Sequence, residues 1–307
     1  MELFTLIVPR TVSEDKESLR QRLIEAFDLI HMPEGAVQLE CKTHRHFFAM
    51  QISAEEQTGF ILSEWKTLIV KETAQALSAY IMSQAETKLL RDVITGTYSY
   101  EDPHDVQAIE KYCAQLLDQP EETEGMPKPK VLRQQKISSV VKSYLEEHTE
   151  LDLQGLIRFR LADYRNELKE VAEYAIDEFI MDQQYQEFIS LLKYFVYIQD
   201  AKIPVAHLMH RGGHEFTLLN EKMAPIDTKE FDTFTVELLD REINFEDMIV
   251  STLISVAPQT IHIHTRDPEE QVIKTIMQIF EDRTRICTSC KGCQPVLDIS
   301  NKDQLYP

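Results

Sequence analysis

The chain has 307 residues, of which 43% are hydrophobic, and its formal net charge is −20. This length accommodates two ordinary domains, or one domain with a helical extension, and the hydrophobic fraction is sufficient for buried cores. The acidity argues against nucleic acid as a main partner, because phosphate binding needs a basic face. The sequence shows neither a signal peptide nor an apolar stretch of the roughly 20 residues that span a bilayer. We therefore expect a cytoplasmic protein without membrane insertion.

Residues 1–118 predict a small N-terminal α/β part with a long helix. The apolar run FTLIV (4–8) predicts a strand, and the helical spacing of apolar residues up to Ile30 predicts a helix after it. The stretches AVQLE and HFFAMQIS predict two further strands. A long amphipathic helix is expected from residue 60 to about 95, ending at Gly96, and a shorter one over 105–118.

Residues 119–130 contain three prolines and one glycine, and this composition predicts a linker. Amphipathic helices are predicted after it over 131–147, 153–181 and 184–198. Residues 131–200 are therefore expected to form a helical middle segment.

The periodicity changes again in residues 201–307, which predict a C-terminal mixed α/β domain. Two strands with a turn at Gly212 and Gly213 indicate a hairpin, and a helix is expected over 245–257. The strand TIHIHT, a helix over 268–280 begun by Asp267 and Pro268, and the strand RTRIC predict a βαβ unit. The fold class expected for the whole chain is α+β, predominantly helical.

Three of the five cysteines lie at equal spacing in ICTSCKGCQP: Cys287, Cys290 and Cys293. Such short loops bring sulfurs within reach of one ion, and soft thiolates favour zinc or an iron–sulfur cluster. A bacterial ferredoxin run would need a fourth cysteine where Leu297 stands, so zinc is the candidate cofactor. Thiol redox chemistry, or a tail without a ligand, remains an alternative.

A structural zinc site needs a fourth ligand, and His262 and His264 lie two apart on one predicted strand, facing the same side. One of these imidazoles is a candidate to complete the shell, the alternative being hydrogen-bonded polar groups on a sheet face. A structural role is expected for the hairpin histidines His207, His210 and His214, because the first two point to opposite faces of a strand.

Basic residues cluster in two places in this acidic chain. Those of segment 128–142 predict either a docking surface for an acidic partner or a solvated helix face, and they are Lys128, Lys130, Arg133, Lys136 and Lys142. Three arginines at the start of the long middle helix are candidates for anion binding, with a local ion pair to Asp163 as the alternative, and they are Arg158, Arg160 and Arg165.

The helical stretch LDLQGLIRFRLADYRNELKEVAEYAIDEFIMDQQYQEFISLLKYFVYIQ and the later IMQIFEDRTRICTSCKGC resemble the YtxC-like sporulation proteins of endospore-forming Gram-positive bacteria. The resemblance covers roughly residues 60 to 293 and is strongest over 151–199. It implies a soluble protein associated with sporulation, and it implies no activity and no site residues.

The sequence contains no P-loop, dinucleotide fingerprint, nucleophile elbow or zinc-protease motif. We therefore expect a sporulation-associated protein that acts through contacts with an unidentified protein partner rather than as an enzyme. A zinc-binding or thiol-redox function of the cysteine cluster is the alternative. A divalent-metal hydrolase is a further alternative, and it requires acids such as Glu237 and Asp267 to converge in space.

Overall fold

A computed structural model describes residues 1–9, 13–33, 35–55, 61–118, 129–213, 215–226 and 245–293. The chain divides into two compact units, Met1–Met181 and Asp182–Pro307. Each unit contains a four-stranded mixed sheet, and helices make up most of the remainder, which confirms the predominantly helical α+β fold class. Every helix among the described residues is too short or too polar to cross a membrane.

The first unit begins with a strand–helix–strand–strand segment and continues with helices. Its elements are β1 (Glu2–Pro9), α1 (Ser13–Asp28), β2 (Val37–Thr43), β3 (Phe47–Ala54), α2 (Leu62–Tyr80), a π-helical turn (Ile81–Ala85), α3 (Glu86–Gly96), α4 (Pro103–Asp118), α5 (Pro129–Glu147), β4 (Glu150–Asp152) and α6 (Leu153–Phe159). Helix α7 (Ala162–Ile198) starts in this unit and ends in the second.

The sheet of the first unit has the order β2-β3-β1-β4. Strand β3 lies between β2 and β1, antiparallel to both, and buries every second side chain from Phe48 to Ala54. Strand β4 pairs in parallel with β1 and was not predicted, because three residues are too few to show a periodicity of two.

The helical middle segment shares one hydrophobic core with the N-terminal part. Leu145, Leu151 and Leu168 are at most 3% exposed and belong to the same cluster as Leu6 and Met50. Residues 131–181 thus fold with residues 1–118, although composition predicts a linker between them. Residues 119–128 of that linker lie outside the described residues. A polar, proline-rich stretch predicts a segment that forms no hydrophobic core of its own. It does not predict whether the helices on either side of it pack against each other.

The second unit contains the end of α7 and a sheet of order β6-β5-β7-β8. Its remaining elements are β5 (Ile203–His210), β6 (Phe216–Asn220), α8 (Phe245–Val256), β7 (Pro258–His264), α9 (Gln271–Phe280) and β8 (Thr284–Cys287). Strands β5, β7 and β8 are parallel, and β6 is antiparallel to β5. The predicted βαβ unit is therefore confirmed as β7-α9-β8.

Three helix boundaries differ from the predictions. The helix predicted over 153–181 is interrupted at Arg160, where α6 ends, and α7 then runs without a break to Ile198. The predicted end near residue 181 was wrong, since the polar residues there contain no glycine or proline to stop the helix. Helix α9 begins at Gln271 rather than 268, because the Asp267 amide donates to Thr265 Oγ1 in a preceding turn.

A buried polar network joins α3, α4, α5 and α7 in the first unit. The Tyr164 hydroxyl donates to Glu86 Oε2 at 2.6 Å, and Arg133 Nε lies 3.7 Å from the same oxygen. Arg133 Nη1 donates to the carbonyl of Leu117 at 3.1 Å. Burial, followed by the Glu86 charge, raises the pKa of Tyr164 well above its usual range, so its hydroxyl remains a donor at neutral pH.

We expect Tyr164→Phe to lower the free energy of unfolding of the first unit by about 1.5–3 kcal/mol, the contribution of a hydrogen bond to a charged group. Urea unfolding followed by circular dichroism measures the change. The matched control is Tyr174→Phe on the same helix, where the side chain is 67% exposed and the expected change is below about 0.5 kcal/mol. Equal effects of the two substitutions would show that the Tyr164 hydroxyl contributes no specific stability.

Candidate metal centre

The site lies at the carboxyl ends of two neighbouring parallel strands. Strand β7 ends at His264 and β8 ends at Cys287, and these two residues are partners in the strand register. After β8 the chain turns tightly, and the Cys293 amide donates to the carbonyl of Cys290 at 3.2 Å. The turn brings the last two cysteines of the cluster back to the end of the sheet.

Four side chains converge here: His264, Cys287, Cys290 and Cys293. Their ligand atoms all lie within 4.8 Å of one another, and His264 Nδ1 is 3.8 Å from Cys290 Sγ. A tetrahedral zinc shell, with Zn–S bonds of about 2.3 Å, places neighbouring ligand atoms about 3.5–3.8 Å apart. The group therefore needs to contract by about 1 Å at its widest to hold an ion.

An apolar layer covers the thiols. Cys293 is fully buried and packs with Met209, which is 1% exposed, and Leu219 and Met223 lie against this pair. Such a layer limits the access of water and lowers the local dielectric constant, which strengthens the binding of a cation to thiolates.

The thiols have unequal proton affinities. Burial is the largest cause that raises the pKa of Cys287 to about 11, and the two neighbouring thiols add to it. The pKa of Cys290 is lowered instead, chiefly by a hydrogen bond from the backbone of Cys293. The Cys290 amide in turn donates to Cys293 Sγ at 3.0 Å. Backbone donors that point at sulfur stabilise thiolates, which is the form that binds a metal.

A second histidine orients His264. His207 Nδ1 lies 3.0 Å from His264 Nε2, on the side away from the thiols. Desolvation is the main cause that lowers the pKa of both imidazoles, so both are neutral at pH 7. If the single proton of His264 is on Nε2, it donates to His207 and leaves the Nδ1 lone pair directed at the thiols. Such an arrangement is characteristic of metal-binding histidines.

Sequence reasoning missed the role of His207 because that role depends on pairing between distant strands. The parallel register of β5 and β7 places His207 opposite His262, and His264 lies two residues further along β7, opposite Met209. Of the two histidines predicted as ligands, the structure brings His264 to the thiols. His262 instead lies against His207, with ring centroids 5.2 Å apart.

The hairpin residue His210 is not one of the four converging side chains. His210 is buried, and its ring nitrogens hydrogen-bond to Thr265 Oγ1 at 2.8 Å and to the Gly213 carbonyl at 3.1 Å. Both of its ring nitrogens are thus occupied by the protein. His214 lies outside the described residues.

The basic residues of segment 128–142 have different surroundings. Lys128 lies outside the described residues, and Arg133 is the buried partner of Glu86. The other lysines are exposed or half-buried and pair with carboxylates: Lys130 with Asp118, Lys136 with Glu167 and Lys142 with Glu146. A docking surface made from this segment stays a prediction, and Arg133 is too buried to contribute to it directly.

The three arginines near the start of α7 contact their own unit. The Arg158 guanidinium lies over the Phe159 ring and that of Arg160 over the Tyr144 ring, at 5.5 and 5.8 Å from the centroids. Arg165 Nη1 donates to the carbonyl of Arg158 at 2.9 Å. Anion binding by these exposed arginines stays a prediction. The acid Glu237, on which the hydrolase alternative depends, lies outside the described residues.

Comparison with known proteins gives two matches. Residues 71–285 match the family model described as the YtxC-like family. The chain is also 25% identical over 210 residues to the uncharacterized protein YtxC of Bacillus subtilis (strain 168), an alignment that covers 68% of this chain and 74% of that protein. No solved structure matches.

The family match includes the strand with His264 and ends before Cys287, so it carries no information about the cysteine ligands. It covers more than half of the chain and agrees with the resemblance of the long helical segment and the βαβ unit. The protein therefore belongs to the YtxC-like family.

Proposed function

We propose that this protein binds one zinc ion through His264, Cys287, Cys290 and Cys293, and that the ion stabilises its second unit. The observation that supports this proposal is the convergence of four ligand atoms within 4.8 Å. The donor set of three thiolates and one imidazole is among those of structural zinc sites.

A structural role follows from the number and burial of the ligands. Four protein ligands complete a tetrahedral shell and leave no open position for a substrate or a reactive water. The covering layer of Met209, Leu219 and Met223 also leaves little room for a fifth ligand. The ion would join the ends of β7 and β8 to the turn at Cys290, and β8 itself has only four residues. A metal crosslink is an effective way to hold so short an edge strand in place.

We expect the protein, purified without added metal, to contain about one equivalent of zinc by elemental analysis. Cys290→Ser and Cys293→Ser each remove a thiolate ligand and should reduce the zinc content to below one tenth of an equivalent, our threshold for loss. Cys41→Ser is the matched control, because Cys41 lies in β2 of the first unit and is not one of the four ligands.

A metal-free protein whose thiols all titrate freely would contradict the zinc proposal. A metal-free protein that reversibly loses two thiols on mild oxidation would instead support the thiol-redox alternative, since the sulfurs of Cys290 and Cys293 lie within 4.8 Å of each other. In the first outcome, the same number of thiols titrates after reduction and after oxidation. In the second outcome, two fewer thiols titrate after oxidation.

His207→Ala should weaken zinc binding by about 10- to 100-fold, because it removes the hydrogen bond that orients His264. Competition with a chromogenic chelator measures the affinity. His207→Gln retains an acceptor and should restore most of the affinity. The control is His262→Ala, which removes an imidazole outside the ligand group and should change the affinity by less than about threefold.

If His207→Ala and His262→Ala weaken binding equally, His207 has no specific orienting role. If His207→Gln is as weak as His207→Ala, the effect comes from lost packing and not from the hydrogen bond. Circular dichroism of each variant establishes that the unit is folded.

We further propose that the zinc-stabilised protein acts in the cytoplasm during sporulation through contacts with other proteins and without catalysis. Membership of the YtxC-like family and a group of four protein ligands support this reading. Reduced metal-binding thiols also suit the cytoplasm better than an oxidising compartment.

Deletion of the gene from a spore-forming host should lower the yield of heat-resistant spores while vegetative growth is unchanged. Complementation with the natural sequence should restore the yield, and Cys290→Ser should restore it less well because its second unit is less stable. Spore counts after heating measure both effects. An unchanged spore yield in the deletion strain would contradict the role in sporulation but not the zinc site.

A further inference from the structure

The part of α7 in the second unit has a second apolar side that the unit leaves exposed. Its inner side packs into the core through Ile189 and Val196, which are 1% and 4% exposed. A different side of the same helix exposes Phe188, Leu191 and Phe195 by 53%, 67% and 47%. Large apolar side chains clustered on a surface mark a contact site more often than isolated ones do.

The exposed residues follow the spacing of a coiled coil. We define the α7 seam as Gln184, Phe188, Leu191, Phe195 and Ile198, all of which belong to the second unit. Steps of three and four residues alternate along the seam, which is the a/d pattern of a helix that pairs with another helix. Its apolar members are all between 47% and 67% exposed. The amphipathic helix predicted over 184–198 does not reveal this second side, because periodicity alone does not separate two apolar sides of a helix.

We propose that the α7 seam binds the α7 seam of a second copy of this chain in an antiparallel helix pair. Facing layers of such a pair join an a position of one helix to a d position of the other. In the seam these layers pair Gln184 with Phe195 and Phe188 with Leu191, and Ile198 lies beyond them at the end of the helix. Both pairs share one midpoint, between Ile189 and Ser190, so these layers are complementary to themselves about a twofold axis.

The exposed area is sufficient for a dimer. Side chains of this size expose roughly 200 Å² when fully accessible. The four apolar residues of the seam and the flanking Tyr185, which is 37% exposed, together offer roughly 500 Å² per copy. A specific protein interface buries at least about 1,000 Å² in total on the two partners. One contact through the seam therefore reaches the lower end of the usual range.

The charge pattern favours a copy of this chain over an oppositely charged partner. No seam residue is charged, whereas the whole chain carries 52 acidic and 32 basic residues. Two copies with a net charge of −20 repel each other, but contact through the uncharged seam sets no charged seam residue against another. Salt screens the repulsion, so the dimer should become tighter as ionic strength rises.

The test is sedimentation equilibrium of the full chain between about 1 and 100 µM, a range that covers the weak dimers typical of small interfaces. We expect a monomer–dimer equilibrium that shifts toward dimer between low and high salt. Phe188→Lys combined with Leu191→Lys places charges in the central layers and should raise the dissociation constant at least 100-fold. Tyr197→Lys is the matched control, because Tyr197 is 81% exposed on the same helix and lies outside the seam.

A monomer at 100 µM in high salt would overturn the proposal. So would a dimer that tolerates both lysines, or one that Tyr197→Lys disrupts equally, because the contact would then lie elsewhere. Circular dichroism establishes that each variant is folded. If the double variant unfolds, the milder Phe188→Ser provides the test, with an expected weakening of at least tenfold. Zinc content is unaffected in every variant, since no seam residue is a ligand.

Discussion

The second unit depends on the parallel register of β5, β7 and β8. Pairing of β7 with β8 sets His264 beside Cys287, and pairing of β7 with β5 brings His207 to the other side of His264. Parallel strands end at the same edge of a sheet, so residues from three distant segments meet at one point. A shift of one residue in either pairing would direct His264 to the opposite face and separate the group.

The register and the turn after β8 explain why His264 and Cys293 are buried while Cys287 and Cys290 are partly exposed. The tight turn after β8 returns Cys293 into an apolar layer, while backbone amides in the same turn point at sulfur. Burial alone raises the pKa of a thiol, as at Cys287, and backbone donors lower it, as at Cys290. A cation resolves this conflict because it supplies the positive charge that buried thiolates lack.

Several features were predictable because they depend on local periodicity. The amphipathic helices, the βαβ unit and the spacing of the three cysteines all appear in short windows of sequence, and the structure contains each of them. Strand β4 and the continuity of α7 were not predictable in this way. A strand of three residues has no measurable period, and only its pairing with β1 defines it. The burial of Arg133 likewise depends on Glu86, which is 47 positions earlier in the chain.

The sequence by itself determined the residue types and spacing of the cysteine cluster, the mostly helical α+β character, and the family resemblance. Tertiary structure decided which histidine joins the cysteines, because His262 and His264 face the same side of β7 and only their distance from the turn distinguishes them. It also decided which apolar side of α7 is buried, since both sides have helical spacing. Both outcomes depend on the packing of segments that are far apart in sequence. The sequence of any one segment therefore does not predict them.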